Sequence, residues 1–310
     1  MPIPFDRHKI ANFGSLEFKA KQVVEGFITG LHKSPYHGFS VEFAEHRAYN
    51  KGESTRHVDW KLYAKTDKLF VKKYDEETNL RCQIVIDTSS SMNFPLDPDY
   101  SKDRYDKIGF ATYAAASLIQ LMRKQRDAVG LSLFTDKVTK HIDAKSNALH
   151  VHRLFENLEE IINPDRNKQE QSAPVDAIHE VAERIHKRSL VIIFSDLMDT
   201  SGRQDDLIDA LQHLRYYKHD VVVFDLFDKK HELELDYDNR PYTFIDQESG
   251  EKVKLNPTSL KEVYEKKMSE FIHALEVKCG QYKIDFVRCD VNEGFYPVLL
   301  EYMVKRQGLY

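Results

Sequence analysis

Residues 81–94 read RCQIVIDTSSSMNF, and this stretch indicates the fold of the whole chain. Ile84, Val85 and Ile86 form an apolar run of strand length that ends at Asp87. Four residues with hydroxyl side chains follow directly. β-Branched residues favour buried strands, whereas Asp, Ser and Thr favour the turns that follow them. The stretch therefore predicts a buried strand whose carboxyl end carries a polar loop.

Similar apolar runs recur along the chain and alternate with longer amphipathic stretches. Short apolar runs rich in β-branched residues predict strands, and apolar residues at every third or fourth position predict helices. Strands that alternate with helices predict an α/β fold with a doubly wound, mostly parallel sheet flanked by helices. The predicted strands cover residues 82–87, 128–134, 137–142, 190–196, 221–227 and 284–289, and the predicted helices cover 104–125, 147–162, 173–187, 204–218 and 260–278.

Two parts of the chain do not follow this alternation. Residues 1–80 mix aromatic, turn and charged residues, and they predict an N-terminal extension with strands in 38–49 and 68–77. In a later segment HELELDY alternates, and YTFIDQ and KVKLN flank the sequence ESGE. The turn with its glycine predicts a β-hairpin inserted at about 229–258 in a main domain that spans residues 81–310.

The composition is that of a folded globular protein. The chain has 310 residues, 41% of them hydrophobic, and a formal net charge of −5 with basic and acidic residues mixed. This balance disfavours nucleic acid as a partner. No apolar run approaches the roughly 20 residues that span a bilayer, and no signal peptide begins the chain, so we expect a cytoplasmic location. The three scattered cysteines predict reduced, buried thiols.

Oxygen ligands can converge in the loop after Asp87. Asp87, Ser89 and Ser91 are spaced by two, so a loop that bends back brings these side chains together while those between them point away. Asp196 ends another predicted strand in the same way, and ligands of parallel sheets bind beyond the carboxyl ends of strands. Hard oxygen ligands suit Mg²⁺ or Mn²⁺. The alternative is a turn without a metal, because Asp and Ser also cap helices.

The sequence DTSSSM after an apolar strand resembles the metal-ion-dependent adhesion site, DxSxS, of von Willebrand factor A domains. In such domains a Thr from a second loop and an Asp from a third loop complete the metal shell. Asp196 in FSDLMD matches the third element, and Ser172 stands where that family has Thr. The resemblance implies a von Willebrand factor A-like fold and a metal ion, Mg²⁺ or Mn²⁺, held by Asp87, Ser89, Ser91, Ser172 and Asp196.

The segment YNKGESTRHVDW and its surroundings resemble a bacterial family called domain of unknown function 58. That family joins the signature R-x-Y-x-x-G-[DE]-x-x-R-x-[IV]-D-W to an A domain. Lys107 matches a further family position, and we expect it to pair with an acidic neighbour. The family's genes commonly neighbour those of MoxR-type AAA+ ATPases, which implies such an ATPase or its client as a partner. The signature falls on Arg47, Tyr49, Gly52, Glu53, Arg56, Asp59 and Trp60.

The signature residues have two interpretations. Arg47, Arg56 and Asp59 can form a network of ion pairs in which Arg binds a carboxylate through two hydrogen bonds. Trp60 would then be the apolar anchor that docks the extension onto the main domain. The alternative is a contact surface for the partner.

The motifs predict an interaction module rather than an enzyme. A strand-terminal Asp also begins the motif of haloacid-dehalogenase-type phosphatases, but those enzymes need a second Asp two residues later as acid and base. Here that residue is Ser89, and neither GxSxG nor a Walker A motif occurs. We expect no catalytic residues and a metal-dependent contact with an acidic residue of a partner protein. A metal-dependent phosphohydrolase that uses the same site is the alternative.

Overall fold

The computed structural model describes most of the chain, and its contacts divide the chain into two units. Residues 1–31 and 80–310 belong to a larger unit, and residues 32–79 belong to a smaller one. The residues that the structure describes are 16–30, 43–48, 60–74, 80–100, 104–162, 171–197 and 204–307.

Strands and helices alternate along most of the described chain. The strands are β1 (Phe43–Ala48), β2 (Phe70–Tyr74), β3 (Arg81–Asp87), β4 (Ala128–Phe134), β5 (Val138–Lys145), β6 (Leu190–Ser195), β7 (Asp220–Phe227), β8 (Tyr242–Ile245), β9 (Lys252–Leu255) and β10 (Asp285–Asp290). The helices are α1 (Leu16–Gly30), α2 (Trp60–Thr66), α3 (Lys107–Gln125), α4 (Ala148–Ile161), α5 (Pro174–Arg184), α6 (Gln204–Tyr216), α7 (Pro257–Gln281) and α8 (Phe295–Gln307).

A six-stranded sheet forms the centre of the larger unit, in the strand order β10-β7-β6-β3-β4-β5. Neighbouring strands are parallel except β4 and β5, which pair antiparallel. From β3 the chain builds β4 and β5 on one side and later β6, β7 and β10 on the other, so the strand order reverses at β3. The predicted α/β architecture with a mostly parallel sheet is therefore confirmed.

Hydrophobic cores lie on both faces of this sheet. In β3, Ile84 and Ile86 belong to one core and Val85 to the other, because successive side chains of a strand point to opposite faces. The first core is covered by α1, α3, α4 and α8, and the second by α5, α6 and α7. A strand that is buried on both faces reads as a continuous apolar run, which is the pattern of residues 84–86.

Helix α1 belongs to the larger unit and packs into its first core. Leu16, Ala20 and Val24 recur every four residues and lie in the first core. Lys19 Nζ donates a hydrogen bond of 3.1 Å to Tyr113 Oη in α3. The contacts assign residues 32–79 to the smaller unit, and the predicted extension over residues 1–80 stays a prediction.

Two short antiparallel strand pairs lie outside the central sheet. In the smaller unit β1 pairs with β2, and both strands fall within segments that the sequence predicted to be extended. In the larger unit β8 and β9 form the predicted hairpin. The alternating sequence HELELDY begins instead within a π-helical turn, Lys229–Leu233. Alternation makes a strand only where a neighbouring strand supplies the hydrogen bonds.

The packing of α1 predicts the effect of truncating a buried side chain. Val24 is 0% exposed, so Val24→Ala should lower the free energy of unfolding by about 2 kcal/mol through lost burial and a residual cavity. Urea unfolding measures this change. Lys21→Ala, on the exposed face of the same helix, is the control. Equal stability of the two variants would show that α1 does not pack against the core.

Candidate functional site

The candidate site lies at the carboxyl edge of the central sheet, where β3 ends between β6 and β4. The strand order reverses at β3, and the resulting crevice is where ligands of open α/β sheets bind. Thr88 N–H donates to the carbonyl oxygen of Phe134 at 2.8 Å, so the loop after β3 stays close to the end of β4. This arrangement places Asp87 at the sheet edge where the strand order reverses.

Asp87 is fully buried and holds three segments together. Its Oδ1 accepts a hydrogen bond of 2.9 Å from the backbone N–H of Ser89. Its Oδ2 accepts hydrogen bonds from Ser172 Oγ at 3.0 Å and from Ser195 Oγ at 2.8 Å. Ser172 precedes α5 and Ser195 ends β6, so the carboxylate connects the ends of β3 and β6 to the loop before α5.

The hydroxyl groups after Asp87 turn inward. Ser89 Oγ and Ser91 Oγ lie 3.1 Å apart, and a 3-10 turn bends the chain back directly after the strand. Thr88 Oγ1 instead donates to the carbonyl oxygen of Phe134 at 2.8 Å. The spacing of two therefore brings the side chains of Asp87, Ser89 and Ser91 together.

Asp196, the residue after β6, binds a buried lysine. Lys107 Nζ donates to Asp196 Oδ2 at 2.9 Å and to Glu232 Oε1 at 2.5 Å. Lys107 is the first residue of α3, and the helix begins there because Asp106 Oδ1 accepts from the N–H of Gly109 at 2.9 Å. The expectation that Lys107 pairs with an acidic neighbour is confirmed.

Negative charge exceeds positive charge around Asp87. Burial, followed by the carboxylate of Asp196, raises the pKa of Asp87 to about 7. Burial also raises the pKa of Glu232. Burial by itself would lower the pKa of Lys107, but the carboxylates of Asp196 and Glu232 raise it above its ordinary value. The ammonium group of Lys107 therefore stays charged, and it binds the carboxyl groups of both Asp196 and Glu232.

A further carboxyl group, that of Glu248, reaches the site from the hairpin of β8 and β9. Glu248 is 4% exposed, and its Oε2 accepts a hydrogen bond of 3.0 Å from the N–H of Ser172. The Ser91 side chain lies near enough to act on the pKa of Glu248, which it lowers. Burial raises the pKa of Glu248 above its ordinary value. The hairpin insertion therefore contributes directly to the site.

The donor set fits a hard divalent cation in its chemistry and spacing. Hydroxyl and carboxylate oxygens of Asp87, Ser89, Ser91 and Ser172 are gathered here, and pairs of them lie 3.0 to 3.1 Å apart. Neighbouring ligands of an octahedral Mg²⁺ at about 2.1 Å are about 3.0 Å apart. In the described part of the chain no three His, Cys, Asp or Glu side chains form a metal-ligating cluster, so a metal here would depend on serine hydroxyls.

The predicted signature residues belong to the smaller unit and lie partly outside the described residues. Arg47 is part of β1, and Trp60 is the first residue of α2, where its ring contacts Tyr63 edge-on at 6.1 Å between centroids. The predicted network of ion pairs stays a prediction. The signature residues outside the described part of the chain are Tyr49, Gly52, Glu53, Arg56 and Asp59.

Three site residues were not anticipated from the sequence, namely Ser195, Glu232 and Glu248. Ser195 stands directly before a strand-terminal Asp, and a hydroxyl at that position is the one signal that could have indicated it. Glu232 and Glu248 lie in an insertion with no continuous periodicity. That insertion follows β7, whose carboxyl end lies at the same sheet edge, and this position was the available signal.

Asp225, in β7, is a second buried carboxyl group near this edge. It lies beside Ser195 in the strand register, and Arg288 Nε is 3.5 Å from its Oδ2. Burial raises its pKa to about 7, although Arg288 acts in the opposite direction. The folded protein therefore binds this proton more tightly than the unfolded chain does, where Asp has a pKa of about 4.

The raised pKa of Asp225 predicts a pH-dependent stability. The stabilising effect of its proton is complete below pH 4 or so and is lost as the pH rises through about 7. The difference in unfolding free energy between Asp225→Asn and the wild type should therefore favour the variant more at pH 8 than at pH 5. Chemical unfolding at both pH values measures the difference, with Asp220→Asn, an exposed carboxylate of the same strand, as the control. A gain that is equal at the two pH values would contradict the raised pKa.

The buried lysine provides a further prediction. Lys107→Met leaves the buried carboxyl group of Asp196 and the partly buried one of Glu232 without their ammonium partner, and it should cost about 3 to 5 kcal/mol of unfolding free energy. Lys140→Met removes an exposed ion pair with Glu160 and should cost less than about 1 kcal/mol. Urea unfolding compares the two variants. Similar losses in both would show that the buried pairing contributes no more than a surface pair.

Proteins of similar sequence or structure include uncharacterized and membrane proteins. The uncharacterized protein Rv1480 of Mycobacterium tuberculosis is 23% identical over 219 residues, which are 70% of this chain and 64% of that relative. The crystal structure of the conserved hypothetical protein BatB from Bacteroides thetaiotaomicron is similar to this chain, with a TM-score of 0.43. The two sequences are 16% identical, and the match covers 73% of this chain and 98% of BatB. An aerotolerance-related membrane protein from Bacteroides fragilis is 15% identical, with a TM-score of 0.42 over 73% and 97% of the two chains.

The cytoplasmic location that the sequence predicted is wrong by this comparison, because a similar structure is that of a membrane protein. The prediction rested on the lack of an apolar span and of a signal peptide. Neither feature determines where a protein is located. Across the described residues no helix has the length and hydropathy that crossing a membrane requires.

The family assignment rests on most of the chain. The family model described as Protein of unknown function DUF58 matches residues 45–271. The matched range includes the signature from Arg47 to Trp60 and both strand-terminal aspartates, Asp87 and Asp196. The chain belongs to this family, Protein of unknown function DUF58.

Proposed function

We propose that this protein is a metal-dependent protein–protein interaction module that binds an acidic residue of its partner. The observation that carries the proposal is the set of serine hydroxyls gathered around the buried carboxylate of Asp87, at the sheet edge where the strand order reverses. The residues that would hold Mg²⁺ or Mn²⁺, directly or through water, are Asp87, Ser89, Ser91, Ser172 and Asp196.

The charge balance supports a cation at this place. Asp87 receives hydrogen bonds from neutral hydroxyl and amide groups, while the carboxylate of Asp196 disfavours its ionisation. A buried anion is stable when a positive charge compensates it. The single ammonium group of Lys107 binds Asp196 and Glu232, and no Lys, Arg or His side chain of the described residues forms an ion pair with Asp87, so a bound cation would supply the positive charge there.

The residues around Asp87 have distinct tasks in this proposal. Ser172 and Ser195 fix the orientation of the Asp87 carboxylate, and Ser89 and Ser91 present their hydroxyl oxygens. A bound Mg²⁺ supplies an open coordination position for one carboxylate oxygen from another protein. The resemblance of DTSSSM to the adhesion site of von Willebrand factor A domains supports the same chemistry. It also supports a von Willebrand factor A-like classification of the fold.

The partner that we propose is a MoxR-type AAA+ ATPase or its client. This choice rests on the association of such ATPases with the family and on the absence of a Walker A motif in this chain, so that any ATP use would belong to the partner. Against the alternative of a phosphohydrolase stands Ser89, whose hydroxyl cannot replace a carboxylic acid as proton donor to a leaving group.

Metal-dependent stabilisation tests the site without a partner. Mg²⁺ that binds only the folded protein should increase its free energy of unfolding by about 2.7 kcal/mol when the Mg²⁺ concentration is 100 times the dissociation constant. The unfolding temperature should rise accordingly. Ser91→Ala and Asp87→Asn should lose this gain. Ser259→Ala, which removes an exposed hydroxyl at the start of α7, should keep it. The proposed site is wrong if all variants gain equally from Mg²⁺.

Partner capture tests the function itself. A purified MoxR-type ATPase should be retained by the immobilised wild-type protein in Mg²⁺ and released by EDTA, and Asp87→Ala should not retain it. Hydrolysis of a generic phosphoester in Mg²⁺ is measured in parallel, and wild type and Asp87→Asn should give the same background rate. Turnover that Asp87→Asn abolishes would favour the phosphohydrolase instead.

A further inference from the structure

We propose that Glu248 is an intramolecular ligand of the same site, so that the β8–β9 hairpin places its carboxylate where an acidic residue of a partner would bind. The inference rests on the proposed function, and it adds a residue to the metal shell and a competitor to the partner. It concerns a segment that the DxSxS resemblance does not include.

One side chain of the hairpin is buried, and the others are exposed or partly exposed. Between Tyr242 and Leu255, a stretch that the structure describes completely, Glu248 alone is buried. Ile245 and Val253 are 52% and 49% exposed, so the hairpin does not pack through these apolar residues. A carboxylate at the tip of a hairpin normally stays in water, because its burial costs free energy unless it is paired. Its burial here requires compensation by the groups that it meets.

The groups that meet Glu248 are residues of the candidate site. Ser172 N–H donates to its Oε2 at 3.0 Å, and the Ser91 side chain lies near it. Ser172 Oγ donates at the same time to Asp87 Oδ2, so one serine bridges the two carboxyl groups. In the described part of the chain no Lys, Arg or His side chain forms an ion pair with Glu248. A divalent cation between the carboxyl groups would supply the missing positive charge.

The turn holds Glu248 in this orientation. Asp246 Oδ1 accepts a hydrogen bond of 2.9 Å from the N–H of Glu248, and Asp246 N–H donates to the carbonyl oxygen of Glu251 at 2.9 Å. Gly250 has a φ of 72°, a conformation that glycine adopts without strain. The turn is therefore closed by its own hydrogen bonds, and the Glu248 side chain is left to point away from it.

An internal carboxylate changes how a partner binds. The acidic residue of a partner has to displace Glu248, and the affinity for that partner is reduced by the stability of the internal contact. The hairpin moves away when the partner takes its place. In the free protein, cation binding should then protect the hairpin from hydrogen exchange. Both the binding and the protection can be measured with Mn²⁺ in the absence of a partner.

The test uses the full chain, Mn²⁺ and a matched pair of hairpin variants. Isothermal titration and electron paramagnetic resonance measure Mn²⁺ affinity, and hydrogen exchange measures protection of residues 242–255. In the wild type, Mn²⁺ should slow exchange in the hairpin. Glu248→Gln keeps the size of the side chain but should bind Mn²⁺ at least about tenfold more weakly, without added protection. Glu251→Gln, an exposed acid of the same turn, should behave as the wild type.

The outcomes separate this inference from the proposed function. If Mn²⁺ binds the wild type and not Asp87→Asn, but Glu248→Gln binds it as tightly as the wild type with equal hairpin protection, Glu248 is not a ligand and the site remains. If Mn²⁺ binds the wild type and Asp87→Asn equally, both the site and the inference are overturned. Loss of affinity in Glu248→Gln and in Asp87→Asn, with Glu251→Gln unchanged, supports both.

Discussion

The buried carboxylate of Asp87 is the constraint on which the rest of the site depends. An anion at the end of a fully buried strand is stable only if its surroundings supply hydrogen bonds or positive charge. Three segments supply the hydrogen bonds, through Ser89, Ser172 and Ser195. The sheet order makes this possible, because β3 lies between β4 and β6 and its carboxyl end faces loops from both sides. Fold and site are thus specified by the same contacts.

The charges around Asp87 are unbalanced in a way that favours a cation. Four carboxyl groups belong to this part of the sheet edge, and Asp196 acts electrostatically on the other three, Asp87, Glu232 and Glu248. Lys107 contacts Asp196 and Glu232, and burial raises the pKa of Asp87, Glu232 and Glu248. A divalent cation would lower those pKa values and make the serine hydroxyls useful as ligands. The proposed function therefore follows from the charge balance as well as from the sequence motif.

The sequence predicted the features that depend on local periodicity and strand ends. The apolar runs located the six strands of the sheet, and the two strand-terminal aspartates, Asp87 and Asp196, indicated the sheet edge that carries the candidate site. The contributions of Glu232 and Glu248 could not be predicted, because they depend on how an aperiodic insertion folds back over the edge. The helical repeat of α1 was present in residues 16–24, but nothing local indicated that its partner is α3. Long-range packing decided these points.

The central claim is that a divalent cation binds among Asp87, Ser89 and Ser91. Anomalous scattering from crystals grown with Mn²⁺ tests this claim most directly, because it locates the ion without reference to activity or partner. The account predicts an anomalous peak at about 2.2 Å from the hydroxyl oxygens of Ser89 and Ser91. A structure with Mn²⁺ bound elsewhere at high occupancy, and no peak beside these serines, would contradict it.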